Sequence, residues 1–505
     1  MQYTPPKIMK KKICIIGCGT FGSYLLKRLL EKYGSQVDIA VVEIGNRKIQ
    51  NESEIGLDSI SENSTVSTDG RYFGFGGTSA RWGGQALFFD DRDNPEKDAA
   101  WDEIIKINAR HKNTVLKKLL GENINIELGE NKNIKTGIWL KYTKRNMFSR
   151  LKKRELKNVK LLPEQRVTEF VFQDKKILKI ICKSKNGNIE ELAADEFYLT
   201  AGALESCRLL LDFNKKTGVL NNTDIGKNFG DHISTELFVV KNARPVIDGI
   251  DFTPTLYKGS LVTKRMIVKT DDGVVGFLHM VFNKNIKSFK FLKELLFGKR
   301  ETTISFGEFL SGFVFLFNFV FYLFFKKKLY VDQSQWSFQL DMEQPVPNNN
   351  KLSLADKKDK YGEAALHIGW DISKKDLNAI SEMRDKVELL LKKNKLEYTP
   401  LYNPASTSNK GEDVYHPVGC LRMGHDAGAV VDYKGKVKGV DNLYHFSTGI
   451  FPSAKSINPS AAVFCFVEEC LERSGSGGRE AGEYPKGMPV ANSSSNGRAR
   501  RLTGE

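Results

Sequence analysis

The chain has 505 residues, too many for one hydrophobic core, and 40% of them are hydrophobic, including 32 phenylalanines. This composition excludes a disordered protein and predicts a globular chain of two or more structural units. The formal net charge of +16 would suit an anionic partner, but no zinc-finger spacing, RNP-type aromatic motif or basic zipper accompanies it, so we expect no nucleic acid partner.

The cysteines are seven in number and scattered. None has the paired spacing of a zinc site or the density of a disulfide scaffold, so a reducing cytoplasm fits best and no metal site is predicted. The N-terminal MQYTPPKIMKKK is basic, but the short apolar run after it leads directly into a glycine motif. We therefore interpret that run as a first strand rather than a signal peptide.

A complete βαβ pattern follows in KKICIIGCGTFGSYLLKRLLEKYGSQVDIAVVEIG. Gly17 suits a tight turn, Gly19 a close approach to a pyrophosphate, and Gly22 close packing of helix on strand, while the helix N-terminus favours negative charge. Glu43 lies 21 residues after Gly22 and ends the second strand, where a carboxylate can accept hydrogen bonds from ribose hydroxyls. The pattern predicts a dinucleotide site and argues against NADP, but it leaves FAD and NAD open.

A second glycine-rich stretch, GFGGTSARWGGQ, occupies residues 74–85. It is too polar for a strand and too rich in glycine for a helix. Two interpretations are open on these residues alone: a backbone that closely approaches a bulky ligand, or a plain loop.

Later motifs extend this pattern, and together the blocks resemble the glucose-methanol-choline (GMC) family of flavin-dependent oxidoreductases. In family order they are IIGCGTFGSYL (15–25) with Glu43, GGTSARWGG (76–84), LTAGALESCRLLL (199–211), DIGKNFGDH (224–232), and YHPVGCLRMG (415–424) with VDNLYHFSTGIFPSAKSINPSAA (440–462). Any one block would be weak evidence, whereas the ordered set is specific.

The resemblance implies an α/β fold in which a Rossmann-type FAD-binding domain is interleaved with a substrate domain built on an antiparallel sheet plus helices. We assign residues 10–240 to the major part of the FAD-binding domain, 241–410 to the substrate domain, and 411–473 to the return into the FAD-binding domain. Residues 474–505 offer almost nothing to bury and are expected to be a disordered tail of the kind that cloning appends. Residues 334–373 resemble the sheet that covers the substrate cavity in the family.

The resemblance also implies FAD as the cofactor. Relatives that bind FAD covalently use a histidine at the position of Arg81, so non-covalent binding is expected here. The cofactor-binding positions predicted by the motif and the resemblance are Gly17, Gly19, Thr20, Phe21, Gly22, Glu43, Gly77, Thr78, Ser79, Trp82, Gly83, Val167, Ala201, Gly202, Gly449, Pro459 and Ser460.

His416 and Asn458 are the catalytic residues that the resemblance implies. Oxidation of an alcohol needs a base for the hydroxyl proton, and histidine titrates near neutrality. Asn458 would donate a hydrogen bond to the substrate oxygen. The alternative for His416 is a loop histidine with a structural role, which is the interpretation we favour for His232. The family's aspartate before the Ser-x-x-Pro turn is absent, since Ser447 and Thr448 stand there.

Residues 309–325, FLSGFVFLFNFVFYLFF, contain nine aromatic residues and precede three lysines. Seventeen residues are marginal for a membrane span, and a span would separate parts of one domain. Upstream, residues 283–301 alternate lysine with phenylalanine and leucine, as in a helix lying in a bilayer interface. We predict a monotopic membrane-binding hairpin at about 284–328, on the cytoplasmic side; a buried helix with a solvated flank is the alternative.

A hairpin at the active-site entrance would admit a lipid-linked alcohol, such as a polyprenyl-bound sugar or a sterol, or a quinone as electron acceptor. Oxidation of a small-molecule or lipid-linked sugar is the favoured hypothesis. Two others stay open: non-redox chemistry on the same flavin scaffold, and a flavin-binding protein without catalysis.

Overall fold

The computed structural model of the chain describes residues 10–61, 68, 70–121, 133–282, 287, 303, 305, 312–331, 333, 335–403 and 411–473. The predicted C-terminal tail and almost all of the lysine-rich stretch at 283–301 lie outside the described residues.

Helices and strands alternate along the described chain. The helices are α1 (Thr20–Tyr33), α2 (Glu52–Ile55), α3 (Ala99–Leu120), α4 (Ala203–Thr217), α5 (Phe313–Phe321), α6 (Lys374–Lys393) and α7 (Ser460–Arg473). The strands are β1 (Lys11–Ile16), β2 (Val37–Val42), β3 (Ile60–Ser61), β4 (Gln85–Ala86), β5 (Ile134–Trp139), β6 (Val159–Leu162), β7 (Gln165–Gln173), β8 (Lys176–Ser184), β9 (Ile189–Ala193), β10 (Glu196–Leu199), β11 (His232–Lys241), β12 (Val246–Ile247), β13 (Ile250–Asp251), β14 (Thr255–Tyr257), β15 (Ser260–Lys269), β16 (Val275–Phe282), β17 (Gln335–Glu343), β18 (Lys351–Lys358), β19 (Ala364–Gly369), β20 (Glu397–Pro400), β21 (Glu412–Asp413) and β22 (Leu443–His445).

A five-stranded parallel sheet in the order β22-β10-β1-β2-β6 forms the first layer. Residues 13–16 of β1 are buried, as expected for a central parallel strand covered on both faces. Tyr24 of α1 stacks on Phe464 of α7 with ring centroids 4.2 Å apart, which joins the first and last helices of the domain. The carboxyl ends of β1, β2, β10 and β22 therefore meet at one edge, where such sheets bind ligands.

A larger antiparallel sheet forms the second layer, in the order β20-β11-β17-β16-β15-β5-β4 with β14 and β21 added. Met266, Leu278 and Leu340 lie opposite one another on one face, and Met383 of α6 packs on Gly276 there. The other face carries polar side chains. Asp341 lies between Phe277 and Ser234 on the neighbouring strands, and His279 lies opposite Gln339.

The predicted fold class is confirmed by these two layers. The domain boundaries stay predictions. β4 and β5 of the N-terminal segment lie in the antiparallel sheet, which agrees with the expected interleaving of the two domains. The expectation for residues 334–373 is only partly right. β17 lies in the large sheet, but β18 and β19 form a separate three-stranded sheet with β3.

Buried His445 makes the stability of this fold depend on pH. Its Nδ1 lies 2.9 Å from the Leu199 carbonyl oxygen and its Nε2 lies 2.8 Å from Ser447 Oγ. Burial lowers the pKa of His445 to about 4. The folded imidazole therefore stays neutral at pH 5, whereas the unfolded one takes up a proton.

We predict that lowering the pH from 7 to 5 reduces the free energy of unfolding by roughly 2 kcal/mol through His445. Urea unfolding at both pH values should show a smaller pH effect in His445→Gln than in the wild type. The exposed His425 provides the control, and His425→Gln should keep the wild-type difference. An equal pH effect in His445→Gln and the wild type would contradict this assignment.

Candidate active site

The first glycine turn connects β1 to α1 and leaves no room for side chains at two positions. Gly17 has φ +89°, and a Cβ there would lie 2.6 Å from Ala201 Cα. A Cβ on Gly22 would lie 2.0 Å from the Gly17 carbonyl oxygen. Both glycines are therefore required by packing, in the roles that the sequence predicted for the turn and for the helix.

The N-terminus of α1 fits a pyrophosphate. Gly19 is its N-cap residue and supplies no side-chain hydrogen bond to the amides of the first turn, which begins with Thr20 and Phe21. A Cβ on Gly19 would have its nearest neighbour, Gly77 Cα, at 4.0 Å. Gly19 is thus not required by packing within the chain, which leaves ligand approach as its role.

Glu43 follows β2 and accepts three backbone hydrogen bonds, from Cys18 N at 2.7 Å and from Gly45 N and Gly74 N at 3.0 Å. Burial raises its pKa, although the three amides oppose this. A carboxylate has about four acceptor sites, so about one is left for a ribose hydroxyl. The sequence did not predict that Glu43 also accepts hydrogen bonds from both glycine loops, through Cys18 and Gly74.

The second glycine loop lies against the first. Gly76 N donates to the Cys18 carbonyl at 2.8 Å, and a Cβ on Gly77 would lie 2.9 Å from Gly19 Cα. The hydroxyl of Ser79 donates to the Gly76 carbonyl at 2.5 Å and accepts from Met147 N at 3.0 Å. Hydrogen bonds therefore hold the second glycine loop beside the N-terminus of α1. This favours a backbone that closely approaches a ligand over a plain loop.

The other predicted cofactor positions lie in several different elements. Gly202, with φ +81°, precedes α4, and Pro459 precedes the first residue of α7, Ser460. The remaining positions are Thr78, which accepts a hydrogen bond from Tyr72 N; Trp82, whose Nε1 donates to the Arg145 carbonyl; Gly83, packed on Trp139; Val167, buried in β7; Ala201, against Gly17; and Gly449, beside Cys420.

Asp231 holds the two histidines of the site in place. Its Oδ1 accepts from His232 N at 2.7 Å and its Oδ2 from His416 N at 2.8 Å. Burial raises the pKa of Asp231, and the backbone amides oppose that rise. This one side chain joins the start of β11 to the loop that carries His416.

The hydrogen bonds of the histidines determine their tautomers. His232 Nε2 lies 2.7 Å from the Lys455 carbonyl oxygen, which can only accept, so Nε2 carries the proton. His232 Nδ1 is then an acceptor, and His416 Nδ1, 3.1 Å away, must donate to it. It follows that His416 Nε2 has a free lone pair, as a base requires.

The surroundings of His416 keep its imidazole neutral. Burial, the neighbouring His232 and the charge of Arg265 lower the pKa of His416 to about 3, against the effect of Asp341. Burial also lowers the pKa of His232. The donor atoms of Asp231, His232 and His416 lie within 4.8 Å of one another. We assign no metal to them, because the hydrogen bonds above already use both Asp231 oxygens and both His232 nitrogens.

Asn458 is oriented by Arg265 of β15. The guanidinium Nη2 lies 2.6 Å from Asn458 Oδ1 and also donates to Gln85 Oε1. A guanidinium has no acceptor, so the atom facing it must be the amide oxygen, and Asn458 Nδ2 is left to donate. This is the orientation that the predicted role of Asn458 requires.

The hydrogen-bond partners of Asn458 and His416, Arg265 and His232, both pack on Phe277. The Arg265 guanidinium lies 4.0 Å from the centroid of this ring, and the His232 ring packs edge-on at 5.4 Å. Asp341, next to Phe277 in the sheet, accepts from Ser234 and lies 3.4 Å from His279. Burial alone would raise the pKa of Asp341, but His279, His232 and Ser234 hold it well below its usual range.

Sequence reasoning missed Arg265, Asp341 and His279. Part of the signal was available: His279 is the one ionisable residue of the otherwise apolar strand VGFLHMVF, whereas Arg265 and Asp341 lie in SLVTKRMIVK and SQWSFQLDME, which contain other polar residues. A charge at such a position is more often found where a strand faces a site than where it faces a core.

Residues 345–466, which include His416 and Asn458, match the family model for GMC oxidoreductase. This part of the chain is therefore similar to GMC oxidoreductases. The chain is 25% identical over 345 residues, 62% of its length, to "Alcohol dehydrogenase [acceptor]" of Pseudomonas putida, and the match spans 58% of that protein. The solved structure of pyridoxine 4-oxidase from Mesorbium loti shares the fold, with a TM-score of 0.57, 15% identity, and coverage of 93% of this chain and 100% of that one.

The GMC family is FAD-dependent, so the glycines can be tested by FAD affinity. We predict that Gly22→Ala lowers the free energy of unfolding by about 2 kcal/mol or more, because its Cβ meets the Gly17 backbone. Gly19→Ala should change stability by only about 1 kcal/mol or less, yet weaken FAD binding at least about tenfold, a loss of about 1.4 kcal/mol.

Urea unfolding of the apoprotein and FAD titration by fluorescence quenching would measure the two effects. Unchanged FAD affinity in Gly19→Ala would contradict the placement of a pyrophosphate at this helix N-terminus.

Proposed function

We propose that this protein is a GMC oxidoreductase that binds FAD non-covalently and oxidises a CH–OH group, with His416 as the base. The observation that carries the proposal is the hydrogen-bond chain from the Lys455 carbonyl through His232 to His416, which leaves the His416 Nε2 lone pair free. Non-covalent binding is supported by exposed Arg81 at the position where covalent relatives have histidine.

FAD supplies an acceptor for a hydride, with its pair of electrons, when it is bound. His416 Nε2 takes the hydroxyl proton while the carbinol C–H bond breaks, and Asn458 Nδ2 donates a hydrogen bond to the oxygen that becomes the carbonyl. His232 stays neutral and continues to accept from His416 Nδ1, so the protonated His416 keeps its position. No residue besides His416 has to change its protonation state.

The substrate that we propose is a sugar, free or linked to a lipid. The polar face of the large sheet supports it: Ser234 Oγ accepts a hydrogen bond from Gln339 Nε2 at 2.6 Å, and half-buried His279 lies beside Asp341. Closely spaced donors and acceptors suit a ligand with several hydroxyls better than they suit an apolar alcohol.

We propose in addition that the protein associates with the cytoplasmic side of a membrane through the segment around α5. Within the described part of the chain, no helix has the length and apolar character needed to cross a membrane. Five large apolar side chains there are 38–75% exposed, next to exposed Lys326 and Lys327: Phe317, Val320, Phe321, Phe324 and Phe325. Aromatic groups flanked by lysines suit a bilayer interface, from which a lipid-linked substrate or a quinone acceptor could approach.

His416→Ala should leave FAD bound but slow its reduction by the alcohol by about 100-fold to 10,000-fold, because general base catalysis is lost. Anaerobic stopped-flow absorbance would measure the rate, and His425→Ala, altered outside the site, should reduce at the wild-type rate. A wild-type rate in His416→Ala would remove His416 from the mechanism.

Membrane association can be tested by replacing Phe317, Phe324 and Phe325 together by serine. Co-sedimentation with vesicles of anionic phospholipid should fall at least about tenfold, since each lost side chain contributes about 1.5–3 kcal/mol when fully buried. Ile189→Ser, which alters an exposed apolar residue in β9, should bind as the wild type does. Equal binding of all three proteins would contradict a membrane role for α5.

A further inference from the structure

We propose that Arg265 is a positioning residue of this site: it fixes the Asn458 amide and supplies the positive charge that stabilises the negatively charged reduced cofactor. This inference rests on the proposed function and deepens it. It concerns a residue of the large sheet that none of the sequence motifs includes.

The guanidinium of Arg265 is buried without a matching negative charge. The side chain is 5% exposed, and no carboxylate of the described residues lies within ion-pair distance. Its polar partners are neutral, namely Asn458 Oδ1 at 2.6 Å and Gln85 Oε1, and its Nη1 has no hydrogen-bond partner. The Phe277 ring covers one face of the group at 4.0 Å.

A cation in this environment costs the folded protein free energy. Burial without an ionic partner is unfavourable, and the quadrupole of one aromatic ring offsets only part of that cost. Burial lowers the pKa of Arg265 to about 10, so the group still carries its charge at neutral pH. The nearby Asp341 is already engaged by Ser234 and His279, and it makes no ion pair with Arg265 within the described residues.

In the proposed reaction, negative charge would develop on the cofactor next to the substrate carbon whose oxygen Asn458 contacts. The carbinol C–H bond breaks with both electrons passing to FAD, the O–H bond breaks with its proton passing to His416, and the C=O bond forms. The oxidised product is neutral, His416 gains one positive charge, and the reduced cofactor gains one negative charge. Arg265 is in place before the reaction, so no reorganisation is needed when that charge appears.

The geometry separates the two roles of Arg265. Nη2 alone donates to both Asn458 Oδ1 and Gln85 Oε1, which sets the amide atom that faces the substrate, and this depends on where the guanidinium places that nitrogen. The charge effect depends only on a cation at this point of the sheet. Lysine at position 265 would keep the second role and lose most of the first, whereas methionine would lose both.

The experiment is a measurement of the two-electron reduction potential of the FAD-loaded full-length protein at pH 7, against a reference dye during photochemical reduction. It needs no substrate. For Arg265→Met we expect the equilibrium constant for reduction to fall at least tenfold, which is a potential lower by about 30 mV or more. Arg265→Gln is the second neutral variant, and Arg265→Lys should keep a potential closer to that of the wild type.

The control is Arg384→Met. Arg384 lies 5.5 Å over the Phe238 ring, and the pairing of Phe238 with Phe338 places it on the apolar face of the same sheet. Its loss should not change the potential. An unchanged potential in both neutral Arg265 variants would overturn the inference. If KM then rose only for alcohols that carry a carboxylate, the charge would be assigned to the substrate instead.

The outcome also separates this inference from the proposed function. If the potential shifts in Arg265→Met but no alcohol reduces the wild-type cofactor, the proposed function fails and the electrostatic role of Arg265 stands. If an alcohol reduces the wild type while the potential is unchanged in the variants, the inference alone fails. A purified wild-type protein that binds no FAD would overturn both.

Discussion

The buried carboxyl group of Asp231 is the constraint on which the active site depends. Its two oxygens hold the backbone amides of His232 and His416, residues that are 184 positions apart in the chain. Removing it would leave two partly or fully buried amides without acceptors, at about 1–3 kcal/mol each. By holding both backbones, the same side chain brings the two imidazoles to their 3.1 Å contact.

That contact determines which atoms of the site donate hydrogen bonds and which accept them. A backbone carbonyl accepts from His232, His232 accepts from His416, and Nε2 of His416 is left with a free lone pair. A guanidinium donates to the Asn458 oxygen and leaves the amide nitrogen as a donor. His416 and Asn458 are therefore each oriented by one partner: His232 accepts from His416, and Arg265 donates to Asn458. Both partners lie on the polar face of the large antiparallel sheet.

The features that could be predicted from the sequence are those whose residues lie close together in the chain. The βαβ unit, the glycine turn and the positions of His416 and Asn458 are contained in short contiguous motifs, because the turn and the helix N-terminus impose residue types at fixed distances. Gly22 shows this most directly, since its Cβ would collide with Gly17 five residues before it.

The positions of Arg265, Asp341 and His279 depend on strand register, which no single motif encodes. Arg265, Asp341 and His279 meet because β15, β16 and β17 pair in one register, and a shift of one residue would turn all three away from the site. The same limit applies to residues 334–373, whose strands divide between two sheets. The pairing of β19 with β3, more than three hundred residues earlier, assigns β18 and β19 to a different sheet.

The most direct test of the account is the anaerobic absorbance of the FAD-loaded wild-type protein mixed with soluble sugars and alcohols and, separately, with a membrane lipid extract. For any alcohol that acts, the measurement is repeated with deuterium on the carbinol carbon. We predict bleaching of the flavin, slowed severalfold by deuterium, because the carbinol C–H bond breaks in the step that reduces the cofactor. A protein that holds FAD but is bleached by none of these, or is bleached at the same rate with deuterium, would contradict it.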